Sequence, residues 1–378
     1  MHVLNVNSFA DLQTGGGTAE RTIQMSRNLA KAGVECTVLT LDIGNPAQRI
    51  NILKPASLVV LSCLWQRFQV PWMKWRMVRR LVQEADVIHL MGHWSVLNAF
   101  VYLLARKEGK PYVVCPAGAL PLFGRSALLK KTYNLLIGKS IIVNASAWIA
   151  VTAMELPHFE AYGVPASRVT VIPNGVNQED FPVTETDGYL QKHGLSGIPF
   201  ILFMGRLNPI KGPDLLLAAF VSVKDRLPGF HLVFAGPDEG LLAMLRKLAE
   251  TGGISDRVHF LGYAHGQDKA TLYRTATLLV VPSRQEAMSI VALEAGICGT
   301  PAMLTDQCGF GEVRTVDRRL EVPASAQGIA GGLVALLESP DTVEQIKPGW
   351  FRFVEQNYSW PFLVPQFIKL YDAILIAN

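Results

Sequence analysis

Short apolar runs alternate with longer stretches of helical spacing through both halves of the chain. Runs such as 276–281 have strand length, many β-branched residues and a turn residue at the end, as buried parallel strands do. Stretches such as 19–32 and 214–226 repeat apolar residues at helical spacing. The pattern predicts repeated strand–loop–helix units and two Rossmann-like domains of the α/β class. The other predicted strands are 2–7, 34–41, 58–62, 86–90, 111–115, 148–152, 169–172, 198–204, 230–235, 258–261 and 302–304.

The boundary between the two halves lies in a polar stretch rich in Pro and Gly, between Asn177 and Gly197. That composition is typical of a linker. We therefore place an N-terminal domain at 1–180 and a C-terminal domain at 181–358. With 378 residues, of which 49% are hydrophobic, each half is long enough to bury its own core.

Charge and cysteine content restrict the function classes only mildly. A net charge of +4 favours anionic ligands slightly and does not demand nucleic acid. The five cysteines are scattered without a C-x-x-C pair, which predicts reduced thiols in a cytoplasmic protein. The chain enters a strand at once, and no apolar run approaches the ~20 residues that span a bilayer. We expect neither a signal peptide nor a membrane span.

The stretch 282–296 carries the clearest chemistry. A strand ends at Pro282, and helical spacing starts at Ser289, which could cap the helix with its hydroxyl. A helix start after a strand is a natural phosphate site. If both were helical, Glu286 and Glu294 would share a face but lie ~12 Å apart. They suit the two ends of a nucleotide sugar. In the equally weighted alternative, Glu286 favours the helix dipole and Glu294 is either solvated or salt-bridged.

A second anion-binding loop follows the strand 198–204. Gly205 and Gly212 permit a tight turn, and Arg206 and Lys211 place two cations at the carboxyl end of the strand. Such cations complement a pyrophosphate. Two ordinary surface cations are the alternative.

These motifs together resemble the family 4 retaining glycosyltransferases of GT-B fold. The resemblance lies in Glu286, seven residues and Glu294 after a Pro-Ser pair, and in Gly-Arg-Leu, three residues, Lys-Gly from Gly205. It implies two Rossmann-like domains facing across a cleft, with a last helix in 359–378 that crosses back to the N-terminal domain. It also implies that Glu286 binds the donor sugar, Glu294 the ribose, and Arg206 and Lys211 the phosphates. Many members have glycines where this chain has Ala287, Met288 and Ser289, which should narrow the sugar pocket.

The resemblance adds donor-binding candidates of lower weight. Gly16 and Gly17, in the glycine loop 14–18, correspond to a loop near the donor phosphates, although a tight turn explains the glycines equally well. Gly262 and Tyr263 occupy the place where the family holds the base. The backbone from Ala287 to Ile290 completes the donor site, and the loop 305–312 could close over the donor.

The acceptor half resembles the family less closely. Many members have a histidine between the Pro and Gly at 116–118, and this chain has Ala117. His93, after the strand 86–90, becomes the candidate catalytic histidine, with His89 nearby. A histidine at a strand end is more often a structural hydrogen-bonding group.

The resemblance implies transfer of a sugar from a nucleotide-diphosphate donor to a hydroxyl, with retention of configuration. The chain has no Asp-x-Asp pair to clamp a metal diphosphate, so we expect no metal and no cofactor. The alternatives are a sugar-nucleotide 2-epimerase and a non-catalytic nucleotide-sugar-binding relative.

The segment 65–80 interleaves tryptophans with basic residues. It could bind nucleic acid or an anionic bilayer. A solvated helix with its aromatic side in the core is the favoured interpretation. Lys130, Lys131 and Tyr133 form a second, weaker basic stretch. A peripheral membrane contact would suit a saccharide or lipid-linked acceptor in surface polysaccharide or glycolipid assembly; we expect no nucleic acid partner.

Overall fold

The computed structural model describes residues 1–72, 74–122, 126–183 and 187–377. The chain divides into two compact units. The first comprises Met1–Gly175 together with Trp360–Asn378, and the second comprises Val176–Ser359. The division at Gly175 lies close to position 180, where the linker composition places it.

The first unit is built on a seven-stranded parallel sheet in the order β3-β2-β1-β6-β7-β8-β9. β1, β6, β7 and β8 are almost wholly buried, as expected of parallel strands covered by helices on both faces. Strands β4 and β5 form a separate antiparallel pair. The strands are β1 His2–Val6, β2 Glu35–Leu41, β3 Ser57–Leu61, β4 Cys63–Trp65, β5 Val70–Pro71, β6 Val87–Met91, β7 Tyr112–Cys115, β8 Ala147–Ala150 and β9 Val169–Val171.

The helices of this unit connect parallel strands. They are α1 Leu12–Lys31, α2 Ile50–Leu53, α3 Trp75–Glu84, α4 Val96–Lys107, α5 Ala127–Tyr133, α6 Lys139–Val143 and α7 Leu156–Glu160. A π-helical turn, Asn134–Gly138, joins α5 to α6.

The second unit is built on a six-stranded parallel sheet in the order β12-β11-β10-β13-β14-β15. This is the doubly wound order, in which the chain reverses direction of progress between β10 and β13. Its strands are β10 Phe200–Met204, β11 His231–Ala235, β12 Val258–Gly262, β13 Leu278–Val281, β14 Ala302–Thr305 and β15 Glu321–Val322. Its helices are α8 Asp187–Lys192, α9 Pro213–Val223, α10 Leu242–Thr251, α11 Gly266–Thr275, α12 Ile290–Ile297, α13 Ala326–Leu337 and α14 Pro340–Tyr358. The predicted fold class, two parallel-sheet Rossmann-like domains, is confirmed.

The segment 65–80 differs from its prediction. It contains the β4–β5 pair and the start of α3, and Met73 lies outside the described residues. The aromatic side chains Trp65, Trp72 and Trp75 are each more than half exposed. The favoured interpretation, an aromatic side packed in the core, is therefore wrong.

The last helix, α15 Trp360–Ala377, belongs to the first unit. By length and composition alone it could cross a membrane. Its apolar stripe, however, is buried against the first unit, as in the core helix of a globular domain. Tyr371 on this helix hydrogen bonds to Nδ1 of His89 on β6, at 2.7 Å between Oη and Nδ1. The buried stripe consists of Trp360, Leu363, Val364, Phe367, Tyr371 and Ile374.

Arg21 on α1 fixes the last strand of the first sheet. Its guanidinium is buried and donates to the backbone oxygens of Ile172 and Pro173 at 2.8 and 2.6 Å. It also donates to the side-chain oxygen of Asn174 and lies over the ring of Phe367. Five donors on a planar group let one side chain satisfy several acceptors that would otherwise be buried without partners. The segment that follows β9 is thus held by a distant helix.

The buried His89 makes stability of the first unit depend on pH. Burial, reinforced by the charge of Arg21, lowers the pKa of His89 to about 3. In the unfolded chain this histidine titrates near its ordinary pKa of about 6.5. Between these values the unfolded state binds the extra proton, so stability is full above about pH 6.5 and declines as the pH falls.

We expect His89→Asn to reduce this pH dependence, because an asparagine amide reaches the Nδ1 position but does not titrate. The loss of unfolding free energy between about pH 7 and pH 5 should be smaller in the variant by ~2 kcal/mol. Urea denaturation at the two pH values measures it. An equal loss in both proteins would contradict the role given to His89.

Candidate functional site

The candidate site lies where the second sheet reverses, between the loop after β10 and the loop after β13. These loops touch through their backbones. Gly212 has φ +67°, and a Cβ there would lie 2.1 Å from the carbonyl oxygen of Pro282. Only glycine combines this conformation with such a close approach. A ligand at this edge therefore meets both loops at once.

Arg284 ties the same two loops with side-chain and backbone contacts. Its guanidinium forms a two-bond fork with the carboxylate of Asp214, at 2.8 and 2.6 Å. It also donates to the carbonyl oxygen of Pro209, and its backbone N–H donates to that of Ile210. A paired fork of this kind fixes geometry as well as charge. The role of Arg284 could not be predicted from local sequence, because its partners are about 70 residues away in the chain.

The predicted residues Lys211 and Glu286 meet across the two loops. Lys211 Nζ lies 2.9 Å from Glu286 Oε1, and the buried Ser283 hydroxyl donates to Glu286 Oε2 at 3.0 Å. Both charged side chains keep partial exposure. The contacts place a cation and an oriented carboxylate side by side at the carboxyl edge of the sheet.

Arg206, the other predicted cation, pairs elsewhere. Its guanidinium donates to Glu239 Oε1 at 3.0 Å, and both side chains are exposed. Asn208 donates to the other oxygen of Glu239 at 2.6 Å and accepts from the Lys211 N–H. Among the described residues, Arg206 is therefore linked to Lys211 through Glu239 and Asn208.

The helix start at Ile290 is confirmed, but the proposed cap is wrong. Ser289 has the extended backbone of an N-cap residue, yet its hydroxyl accepts no hydrogen bond from the helix. The side chain is buried, and its oxygen has no partner among the described atoms. The N–H groups of the first turn thus keep their capacity to bind an anion.

A third loop, after β14, supports the backbone from Glu286 to Ile290. Glu286 N–H donates to the carbonyl oxygen of Gln307 at 2.9 Å. A Cβ on Gly309, whose φ is +61°, would lie 1.8 Å from the carbonyl oxygen of Ala287. Met288 is buried beneath this stretch, whereas Ala287 keeps partial exposure. The loop 305–312 therefore packs against the backbone of residues 286–290.

Glu294 lies one turn into α12. Its side chain is buried, and each of its carboxylate oxygens has one partner. Lys269 Nζ lies 2.7 Å from one oxygen, and the Tyr273 hydroxyl donates to the other at 2.7 Å. Burial and the neighbouring Glu294 charge hold the pKa of Tyr273 well above its usual value, so the phenol remains a donor. This is the salt-bridged arrangement given as the alternative for Glu294. A carboxylate with one donor on each oxygen can still accept from a hydroxyl.

Gly262 and Tyr263 lie at the carboxyl end of β12, at the edge of the sheet. The carbonyl oxygen of Gly262 accepts from the Gly236 N–H at 2.6 Å, and a Cβ on Gly236 would come within 1.9 Å of the Gly205 carbonyl oxygen. The ring of Tyr263 is exposed and stacks on His265. Gly205 and Gly262 thus belong to one chain of close backbone contacts.

In the first unit, the predicted glycine loop, residues 14–18, lies within helix α1. The helix begins at Leu12 and breaks at Gly16, which has φ +55° and ψ −141°. Gly17 continues the helix. The corresponding reversal of the sheet, between β1 and β6, is bridged by the hydroxyls of Ser8 and Ser95 at 2.8 Å.

His93 lies after β6 as predicted, but it is buried among Trp94, Tyr133 and Tyr162. Its Nε2 lies 2.9 Å from the side-chain oxygen of Asn134. Burial lowers the pKa of His93 to about 4, although the hydrogen bond to Asn134 opposes this. These contacts are those of a structural histidine.

Ala117, at the position of the family histidine, has φ +49°. The next residue, Gly118, donates its N–H to the buried Glu155 carboxylate at 2.7 Å. The turn is therefore held through the backbone.

We expect Gly212→Ala to lower stability far more than Gly194→Ala. The two glycines have nearly equal φ, +67° and +66°, but a Cβ on Gly194 meets open space. Gly194→Ala should cost only the left-handed strain of ~1–2 kcal/mol. Gly212→Ala adds the clash with Pro282 and should exceed it by ~2 kcal/mol or more. Thermal unfolding of both variants checks this; equal losses would rule out the close approach.

Comparison with known proteins assigns the family. The family model "Glycosyltransferase Family 4" matches residues 15–180, and "Glycosyl transferases group 1" matches residues 187–349. A D-inositol 3-phosphate glycosyltransferase of Frankia alni is 30% identical, over 89% of this chain and 87% of the relative. Another, from Rhodococcus erythropolis, is 26% identical over 98% of this chain and 90% of the relative.

Solved structures agree in fold. A crystal structure of Anabaena Alr3699/HepE with UDP and glucose has a TM-score of 0.79 at 18% identity, covering 99% of this chain and all of that one. Sucrose-phosphate synthase from Thermosynechococcus elongatus has a TM-score of 0.75 at 21% identity, covering both chains in full. Together with the two family matches and the 30% identical relative, this fold identifies the chain as a GT-B glycosyltransferase of family 4.

Proposed function

We propose that the protein transfers a sugar from a nucleotide-diphosphate donor to a hydroxyl acceptor with retention of anomeric configuration. The observation that supports this most is the Lys211–Glu286 pair beside the free N–H groups at the start of α12. A diphosphate and a sugar need a cation, main-chain donors and a hydroxyl-binding acid within one crevice.

In the proposed reaction, the bond between the anomeric carbon and the donor phosphate breaks as the acceptor oxygen bonds to that carbon. The acceptor proton passes to the departing diphosphate on the same face. Lys211 and the first turn of α12 stabilise the charge that develops on this diphosphate. Glu286, oriented by Ser283, accepts hydrogen bonds from the sugar hydroxyls.

The remaining donor-binding residues take lesser roles. Arg206 reaches the diphosphate by exchanging its exposed pair with Glu239, which costs little. Glu294 accepts from the ribose while Lys269 and Tyr273 hold it, and Tyr263 offers an exposed ring to the base. Ala287, which keeps partial exposure, limits the space around the sugar, and the buried Met288 and Ser289 contribute through their backbone.

His93 has no proton-transfer role in this proposal. Its ring is buried, and its lowered pKa leaves it a weak base. Because the leaving diphosphate takes the proton, neither His93 nor a histidine at Ala117 is required.

We further propose that the protein acts in surface polysaccharide or glycolipid assembly at the cytoplasmic side of a membrane, on a saccharide or lipid-linked acceptor. The exposed Trp65, Trp72 and Trp75 support peripheral contact through the segment 65–80, with Arg67 and Arg76 also exposed. One structural neighbour, WaaG, is a glycosyltransferase involved in lipopolysaccharide biosynthesis, with a TM-score of 0.67 at 18% identity over 99% of each chain. Because Alr3699/HepE was solved with UDP-glucose, this donor is the first to assay.

We expect Lys211→Ala to lower the turnover rate by ~10²–10³-fold, because a cation facing the leaving group acts mainly in the transition state. Lys224→Ala serves as the matched control, since the Lys224 ammonium donates to the Gly252 carbonyl oxygen, at the end of α10. Release of the nucleoside diphosphate from a panel of sugar donors measures the rate, and NMR of the product gives its anomeric configuration. Wild-type rates in Lys211→Ala, or an inverted product, would contradict the proposal.

We expect turnover to survive treatment with a chelator, because the proposed charge stabilisation comes from Lys211 and main-chain N–H groups. Within the described ranges, no group of three or more His, Cys, Asp or Glu could hold a metal ion. Rates before and after exhaustive treatment with EDTA check this. Loss of turnover that Mg²⁺ or Mn²⁺ restores would refute metal independence.

A further inference from the structure

A second exposed apolar surface lies on the helical segment 127–143, which comprises α5, the π-helical turn and α6. Four leucines within nine positions face solvent: Leu128, Leu129, Leu135 and Leu136 are 77%, 55%, 86% and 76% exposed. The opposite side is also apolar, since Ile141 and Ile142 are buried in the core and Ile137 packs against it. A cluster of exposed leucines on the outer side of a segment whose inner side is already packed indicates an interaction surface.

Basic side chains accompany these leucines. Lys131 and Lys139 are exposed, and no carboxylate partner is found for either among the described residues. Lys130 lies over the ring of Trp94, with Nζ 5.3 Å from the ring centroid. Apolar side chains flanked by lysines match the acyl boundary and the anionic headgroups of a bilayer.

The segment 127–143 and the tryptophan segment 65–80 lie on two sides of the first half of α4. The Tyr133 hydroxyl donates to the carbonyl oxygen of Ser95, the N-cap of α4, at 3.0 Å. Trp75 packs edge-on against Phe100 of the same helix, with ring centroids 5.1 Å apart. Ser95 and Phe100 are about 7–8 Å apart along a helix. Both segments therefore pack against the first half of α4.

The topology of the first sheet places the starts of both segments at the same edge. The β4–β5 pair follows the carboxyl end of β3, and the segment 127–143 follows that of β7. All strands of the sheet are parallel, so both emerge at the same edge. This is the edge at which an open α/β sheet binds its ligands.

We propose that the segment 127–143 is an interfacial helix that docks on an anionic bilayer together with the segment 65–80. This inference rests on the membrane contact proposed above and adds the element that supplies most of its apolar area. Leu135 and Leu136 enter the acyl boundary, while Lys131 and Lys139 contact the headgroups.

Cosedimentation with vesicles tests the docking without any sugar transfer. The full chain should bind vesicles of phosphatidylglycerol and phosphatidylcholine, and bind phosphatidylcholine alone much more weakly. Leu135→Gln/Leu136→Gln should lower the partition coefficient by roughly 10-fold or more. Ile376→Gln is the matched control because Ile376 is 86% exposed, as Leu135 is, but lies on α15. It should leave binding unchanged.

Two further measurements separate the possible outcomes. Lys131→Gln/Lys139→Gln should weaken binding roughly 10-fold at low salt and reduce its salt dependence. Sedimentation velocity without vesicles tests whether the leucines instead bind a second copy of the chain.

The outcomes are distinct. Unchanged vesicle binding of the leucine variant would overturn the helix proposal and leave the tryptophan contact standing. Self-association that this variant abolishes would also overturn it. No vesicle binding by the wild-type chain would overturn both membrane contacts, whereas a thermal shift with a nucleoside diphosphate would still support the donor site.

Discussion

The close backbone approach of two loops at the reversal of the second sheet is the constraint on which the candidate site depends. Gly212 and Pro282 come within a distance that no side chain at position 212 would allow. Arg284 then adds its fork to Asp214 and its bonds to the loop after β10. Because these contacts hold the loops together independently of the Lys211–Glu286 pair, Lys211 and Glu286 need not be attracted strongly to stay adjacent.

The electrostatics of the site follow from that scaffold. The Lys211–Glu286 pair is partly exposed, and such pairs contribute only about 0–1 kcal/mol. Lys211 can therefore exchange a carboxylate oxygen for a phosphate oxygen at little cost, while Ser283 continues to orient Glu286. Glu294 is different, because burial and two donors fix its position. Glu286 can therefore change its partner, whereas Glu294 is a hydrogen-bond acceptor in a fixed position.

The local parts of this arrangement could be predicted from sequence, and the distant parts could not. Apolar periodicity placed the start of α12 next to Ser289, because strand and helix signals are local. It could not show that Ser289 leaves its hydroxyl without a capping bond, which depends on how the third loop packs. Lys269 and Tyr273 were missed as partners of Glu294 because α11 lies more than 20 residues earlier in the chain. The tryptophans at 65–75 were wrongly placed in the core, since spacing alone does not show which side of a segment is covered.

The two sheets reverse in the same way but present different chemistry at that point. In the second unit the reversal carries a cation, an acid and free helix N–H groups, which suits an anion with hydroxyls. In the first unit it carries the Ser8–Ser95 hydroxyl contact, a kinked glycine helix and a buried neutral histidine. Neutral groups stabilise no large charge but can align a hydroxyl. The Lys211–Glu286 pair and the start of α12 thus make the reversal of the second sheet the better suited of the two to a charged ligand.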